Sequence, residues 1–367
     1  MKKALALLLV VMMAFGLSAC APKASTPAAT PSTPTQSNTY EIAMITDIGT
    51  IDDKSFNQGT WEGIVAYAEK NKITHKYYKP TEQSTDAYLA AIQLAVDGGA
   101  KVIVTPGFLF EEPIFKAQDL YPNVTFILID GNPHNADYST FKTAQNTVGI
   151  TFAEEQSGYL AGYAAVKDGY TKLGFMGGMA VPAVVRFGYG FVQGAEAAAK
   201  ELGITGLDLK YHYTGGFDAT PEVQTLAASW YAEGTEVIFA CGGAVGNSVM
   251  SAAEAAQKKV IGVDVDQSSE SATVITSAMK GLAASVQSVL TDYYGKKFPG
   301  GQSLVYAADK KGVQLPMANS KFSKFTQADY DKVFADLAAG KVKIVNDTEA
   351  KDVTQVPVSI VKVTFIQ

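Results

Sequence analysis

Two phenylalanines, several aspartates, an amide and a lysine stand where apolar runs of this sequence give way to helical patterns. The first group is Thr46-Asp47-Ile48-Gly49, followed by Asp52-Asp53-Lys54-Ser55-Phe56-Asn57-Gln58-Gly59. Ser55 and Gln58 form an S-x-x-Q pair, the capping-box pattern of a helix beginning at Phe56. Phe56 and Asn57 then occupy a first turn where a ring and an amide can face a ligand. The same spacing fits Phe56 as a core or staple residue and Asp52 and Asp53 as charges favoured by the helix dipole. Asp130-Gly131-Asn132 puts another carboxylate after a strand, and is equally a turn-forming sequence. Gly177 to Pro182 follow a strand and Arg186-Phe187-Gly188-Tyr189-Gly190 opens the next helix, so Phe187 mirrors Phe56, with Tyr189 and Phe191 nearby. Gly242-Gly243-Ala244 after Cys241 allows close backbone approach to a ligand, or makes a plain tight turn; it lacks phosphate-loop spacing. Asp264 and Asp266 end one strand, and Lys280 ends the run from Thr276. Two aromatics with carboxylates, an amide and an amine suit a flat heteroaromatic carrying a diol. Rings stack for roughly 0.5 to 1.5 kcal/mol beyond buried area, and carboxylates accept strong paired hydrogen bonds from vicinal hydroxyls or ring N–H groups.

The elements that would hold these residues alternate, short β-branched runs with amphipathic stretches, which is the signature of parallel α/β architecture. Ile42 to Thr46, Lys101 to Thr105 and Val124 to Asp130 read as strands, with helices over Trp61 to Lys72, Asp86 to Val96 and Glu112 to Leu120. A second series has helices over Glu154 to Lys167, Tyr189 to Leu202, Pro221 to Ala232 and Gly246 to Lys258. Its strands are Lys172 to Met176, Leu207 to Tyr213, Val237 to Cys241 and Val260 to Val263. Open sheets seldom exceed about ten strands, so two lobes with a cleft between them are expected. In open α/β sheets a ligand sits beyond the carboxyl ends of the strands, where the singled-out residues fall.

Lys2 and Lys3 precede an apolar run from Ala4 to Leu17, shorter than the roughly 20 residues of a membrane span, and read as an export signal. Leu17-Ser18-Ala19-Cys20 has the form of a lipobox, with Cys20 as the lipidated residue. The stretch from 21 to 39 is almost wholly Ala, Pro, Ser and Thr and reads as a tether. With Cys20 lipidated, Cys241 is left without a disulfide partner. The balance of 36 acidic against 30 basic residues, with Arg186 the single arginine, argues against nucleic acid. His75, His134 and His212 lack metal spacing and read as surface or loop residues.

On the motif from Asp47 to Gly59, on Gly262-Val263-Asp264-Val265-Asp266-Gln267, on Thr276 to Lys280 and on the lipobox, the chain resembles the basic membrane protein family of substrate-binding lipoproteins. The resemblance implies a type I periplasmic binding protein fold: two doubly wound parallel-sheet lobes joined by a three-segment hinge. It implies a signal peptide over 1–19, a lipid-anchored tether over 20–39, an N-terminal lobe of 40–147 plus about 264–305, and a C-terminal lobe of 148–263 plus about 306–367. It further implies a protein that is not an enzyme, needs no cofactor or metal, and is anchored through Cys20 on the extracytoplasmic face of the cell membrane; with no strong sign of oligomers in the sequence, a monomer is expected. Its partners would be a purine nucleoside and the permease of an ABC importer. Carried over residue by residue, Phe56 and Phe187 would sandwich the base, Asp47, Asn57 and Asp130 would meet its edge, Asp264 and Lys280 would take the ribose hydroxyls, and Gly243 would offer backbone groups. Gly242 to Asn247 departs from the family's commoner glycine-rich sequence.

A calcium-dependent nucleoside hydrolase would need D-x-D-x-G-x-D-D after the first strand. Here Ile45 replaces the first carboxylate and the gap between Gly49 and Asp52 is one residue too long for the ligands to converge. A sugar-responsive repressor of the same fold would carry a helix-turn-helix where this chain has its export signal. A pyrimidine nucleoside, a thiamine-like vitamin or a small furanose remains compatible with the same binding role, because an aromatic sandwich discriminates poorly between flat rings.

Overall fold

The structure is a computed structural model that describes residues 39–367; the export signal, Cys20 and the tether up to residue 38 lie outside the described residues. Thirteen strands alternate with nine α-helices among them. The first series runs β1 (Ile42–Ile45), α1 (Phe56–Asn71), β2 (His75–Tyr78), α2 (Thr85–Asp97), β3 (Val102–Pro106), α3 (Glu111–Leu120), β4 (Thr125–Ile129) and β5 (Thr147–Phe152). There follow α4 (Glu154–Asp168), β6 (Lys172–Gly177), α5 (Pro182–Leu202), β7 (Leu207–Tyr213), α6 (Pro221–Ala232), β8 (Val237–Cys241), α7 (Val245–Ala256), β9 (Lys259–Asp264) and β10 (Val274–Lys280). The chain ends with α8 (Leu282–Tyr294), β11 (Gln302–Tyr306), β12 (Val313–Gln314), α9 (Gln327–Ala338) and β13 (Val361–Phe365).

Apolar strands such as Ile-Ala-Met-Ile of β1 are buried along their whole length, as strands covered on both faces must be. They assemble into two sheets, ordered β11-β5-β4-β3-β1-β2 and β12-β10-β9-β8-β6-β7-β13. Every pairing is parallel except that of β12 with β10. The chain passes from one sheet to the other three times: at Ala153 between β5 and α4, at Gly281 between β10 and α8, and at Ala307 after β11. Backbone bonds tie these segments together, from Ala153 N to Tyr306 O at 3.1 Å and from Gly281 N to Gly312 O at 2.8 Å.

The sheets move both expected lobe boundaries. β5, assigned from sequence to the second lobe, pairs with β4, Ile150 opposite Ile129, and completes the first sheet. β10, assigned to the first lobe, pairs with β9 in the second. A strand's composition says that it will pair but not with which sheet, since the partners come from distant positions. β2 has no apolar run to announce it, because His-Lys-Tyr-Tyr is a half-exposed edge strand.

Helix α5 begins at Pro182, seven residues before the expected start, with proline in the first turn where its missing N–H costs nothing. The glycines that obscured this start have a packing role. A Cβ at Gly158 or Gly162 of α4 would lie 2.0 or 2.1 Å from the carbonyl oxygens of Phe187 and Phe191, and at Gly190 or Gly194 of α5 it would lie 2.0 Å from those of Glu155 and Tyr159. The two backbones therefore touch. Arg186 and Phe187 are thereby fixed over the start of α4.

Of the three histidines, His75 and His212 lie half-buried in strands, and His134, in a loop as expected, is nevertheless buried at 4% exposure beside a stacked Tyr138. Among the described residues, no helix is long and apolar enough to cross a membrane and no cluster of ligating side chains could hold a metal.

Because the obstructing atoms are backbone, Gly158→Ala is expected to lower unfolding stability by about 1–3 kcal/mol or more. Gly206→Ala, where nothing lies within 4 Å of the added carbon, should stay within about 0.5 kcal/mol. Urea unfolding of the two variants checks this, and equal stabilities would contradict the close approach.

Candidate functional site

The carboxyl ends of β1, β3 and β4 and of β6, β8, β9 and β10 converge on one cavity, about 920 Å³ of atom-free space partly continuous with solvent. All eight residues singled out from sequence line it: Asp47, Phe56, Asn57, Asp130, Phe187, Gly243, Asp264 and Lys280.

Lys280 organises the floor. Its ammonium, at the last residue of β10 and 5% exposed, lies 2.5 Å from Asp130 Oδ2, 3.4 Å from Asp264 Oδ1 and 3.9 Å from Glu154 Oε1. Asp130 belongs to the first sheet's end, Asp264 to the second's, and Glu154 opens α4 at the first crossing. Burial works against the lysine's charge, but these carboxylates outweigh it and hold the ammonium above its ordinary pKa. Glu154 is pushed up to about 8, by burial first and by the Asp130 charge next, with Lys280 and Arg186 opposing. Arg186 spans Glu154 at 3.2 Å and Asp347 at 2.7 Å. The same ammonium lies 4.4 Å from the Phe56 ring centroid and 5.6 Å from that of Phe187, so both rings border one charged point from opposite lobes.

The two rings are not equally free. Phe56 is half-buried in the first turn of α1. Phe187 is 1% exposed and packs edge-on against Phe239 at 5.9 Å, presenting to the cavity only part of its surface. Tyr189 and Phe191 are buried in the core and do not line the cavity.

The start of α1 corrects the expected capping box. Ser55 makes no side-chain cap. Instead Asp53 accepts the backbone N–H groups of Ser55 at 2.8 Å, Asn57 at 2.9 Å and Gln58 at 3.1 Å. A carboxylate is the stronger acceptor and suits the positive end of the dipole. Asp47 receives Gly49 N at 2.7 Å and Asn57 Nδ2 at 2.9 Å. Burial nonetheless pushes its carboxyl up to about 6, against those two bonds. Asn57 Oδ1 and Asp130 Oδ1 are buried acceptors without a protein partner.

Asp130 and Asp264 sit at the ends of β4 and β9 with φ of 60° and 66°. Aspartate tolerates this left-handed region better than most residues, at a cost of roughly 1–3 kcal/mol. Gly243, with φ of 55°, lines the cavity. Its neighbour Gly242 has to be glycine, because a Cβ there would stand 2.6 Å from Gly178 N.

Other cavity-lining residues escaped the sequence reading. Lys79 follows β2, Phe108 follows β3, and Phe217 and Asp218 follow β7. Each lies just past a strand, so inspecting every strand end, including that of the unread β2, would have found them. Glu154 and Ser55 border the charged cluster without lining the cavity, and only their long-range contacts identify them.

With this geometry in hand, the likeness to known proteins is specific. A family model described as "ABC transporter substrate-binding protein PnrA-like" matches residues 40–349. The chain is 30% identical over 326 residues to the ABC transporter nucleoside-binding protein BmpA of Lactococcus lactis subsp. cremoris, covering 83% of this chain and 88% of that one. It is 31% identical over 296 residues to basic membrane protein A2 of Borrelia garinii subsp. bavariensis, covering 79% and 83%. A solute-binding protein of an ABC transporter system from Aeropyrum pernix K1 superposes with a TM-score of 0.73 at 21% identity over 84% of this chain and 93% of that one, which carries the type I periplasmic binding fold. The chain belongs to the Bmp family of PnrA-like ABC transporter substrate-binding proteins.

Proposed function

We propose that this chain captures a purine nucleoside between its two lobes and delivers it to the permease of an ABC importer, held at the extracytoplasmic face of the membrane by a lipid on Cys20 and acting as a monomer. The observation that carries the reading is the pair of rings from opposite lobes, Phe56 and Phe187, both within 6 Å of the one buried ammonium of Lys280. Rings from opposite lobes at one cavity offer stacking surface to a flat base. The acceptors at the cavity wall, Asp47, Asn57 Oδ1 and Asp130 Oδ1, match the N–H groups of a base edge. Asp264 and Lys280 together offer an acceptor and a donor to vicinal hydroxyls. The Lactococcus relative is described as nucleoside-binding, and that description points the same way. Closure of the lobes over the ligand would present the permease with a loaded form.

The direct test is calorimetry on protein freed of bound small molecules, with guanosine, adenosine, inosine, cytidine, thiamine and ribose. A purine nucleoside should bind tightest; if only free ribose binds, the base clamp is refuted. Cytidine or thiamine binding tightest would keep the transport role and replace the ligand.

Phe56→Ala and Asp264→Ala should each weaken nucleoside binding by about 1 kcal/mol or more, the scale of one stacked or charged contact. Unchanged affinity in both would place the ligand elsewhere.

Asp47 also sets a pH dependence. Its folded-state pKa, raised to about 6 from 3.8, means that the ligand-free fold loses stability as pH rises from the ordinary carboxylate range through 6, because the buried carboxyl must then ionise. Asp47→Asn should therefore melt higher than the parent at pH 7.5, with the difference vanishing below about pH 4. Nucleoside affinity should rise from pH 5 to 7 in the parent as Asp47 becomes an anion able to accept a base N–H, and rise less in Asp47→Asn. Identical pH profiles would remove Asp47 from the site.

A further inference from the structure

Ser55 stands at the N-cap of α1 yet spends its hydroxyl elsewhere. Ser55 Oγ donates to Asp264 Oδ2 at 2.5 Å, a bond between residues 209 positions apart that runs from the first lobe to the second. The serine is fully buried and is not among the residues lining the cavity, whereas Asp264 is. The hydroxyl is free to do this because Asp53 caps the helix instead.

We propose that Ser55 is a positioning residue that orients the Asp264 carboxylate for hydroxyl recognition, an inference that rests on the nucleoside reading above. A carboxylate has about four lone-pair sites. Ser55 occupies one on Oδ2, and Lys280 faces Oδ1 at 3.4 Å. The plane of the group is thus set by one donor from each lobe, and its remaining lone pairs are held ready for the hydroxyls of the sugar. Take the serine hydroxyl away, and Oδ2 loses a donor in a residue only 5% exposed. The carboxylate then turns toward the one strong donor left, Lys280, and competes with Asp130 for it. The loss falls on hydroxyl recognition and leaves the base clamp alone, because Phe56 keeps its place on a helix still capped by Asp53.

The surrounding contacts keep the effect local. Gln267 Nε2 donates to Lys54 O at 2.7 Å, holding the same segment across the same interface. The Lys54 ammonium lies 3.9 Å from Glu270. Loss of the Ser55 hydroxyl therefore releases a side chain, not a segment. The arrangement also has a counterpart: the aspartate at the end of β4, Asp130, is held by Lys280 of the second lobe, while the aspartate at the end of β9, Asp264, is held by Ser55 of the first. Each left-handed strand-end aspartate takes a donor from the opposite lobe.

The test is calorimetric titration of the parent protein, Ser55→Ala, Ser55→Cys and Ser55→Thr with guanosine and with 2′,3′-dideoxyguanosine, which keeps the base and lacks the two hydroxyls. Losing a hydrogen bond to a charged group corresponds to roughly tenfold or more in affinity. Ser55→Ala should therefore weaken guanosine by roughly tenfold or more and the dideoxynucleoside by less than about twofold. Ser55→Thr, which keeps the hydroxyl, should restore guanosine binding, and Ser55→Cys, a near-isostere with a weaker donor, should fall between. Equal losses for both ligands would make Ser55 merely structural, and no loss for either would make its bond idle; each result overturns the proposal. A parent protein that binds neither ligand would instead refute the nucleoside reading, and this inference with it.

Discussion

A single ammonium, that of Lys280, is buried where the two lobes meet, and much of the site is arranged to make it tolerable. An unpaired charge at 5% exposure would cost several kcal/mol. No single element supplies its partners. Asp130 comes from the first sheet, Asp264 from the second, and Glu154 from the first crossing segment, itself bonded to Arg186. Satisfying one lysine thus requires both sheets to present their carboxyl ends to each other in a defined register. The two aspartates adopt left-handed backbone to do so, a local strain that surrounding contacts sustain. The lysine stands one residue from the second crossing, so the charge cluster lies at the hinge as well as at the floor of the cavity.

Around that cluster the cavity is rich in acceptors. Asn57 Oδ1 and Asp130 Oδ1 have no protein donor, and both donors to Asp47, Gly49 N and Asn57 Nδ2, fall on its Oδ1. Such a wall favours a ligand that brings its own N–H and O–H donors and disfavours one that brings an anion. Of the aspartates after β1, Asp53 caps α1 and Asp47 accepts from Gly49 and Asn57. The close contact of α4 and α5 through facing glycines carries this arrangement into the second lobe, because it fixes how far Phe187 and Arg186 can stand from Glu154.

The corrections have separate causes. β7, α6 and β8 were bounded from sequence at the residues where they occur, because apolar period, proline and flanking glycine are all local signals. The start of α5 was missed because glycines that usually end helices here admit a neighbouring backbone. The Ser55–Gln58 pair has the form of a capping box, yet Asp53, one of two adjacent carboxylates, takes the N–H groups. The sheet membership of β5 and β10 was misassigned because a strand in either lobe has the same composition.

From the sequence came the α/β class and the strand ends as the place to look, legible because residue type and period act over short stretches of chain, while the choice of the eight residues that line one cavity came from the resemblance to a family. The tertiary structure alone decided which strands share a sheet, that Asp130, Asp264 and Glu154 converge on Lys280, that Phe187 is mostly packed into its own lobe, and that Ser55 reaches across to Asp264. Those facts depend on contacts between residues up to 209 positions apart, whose partners are chosen by packing and charge neutralisation in the folded state and leave no mark in any local pattern.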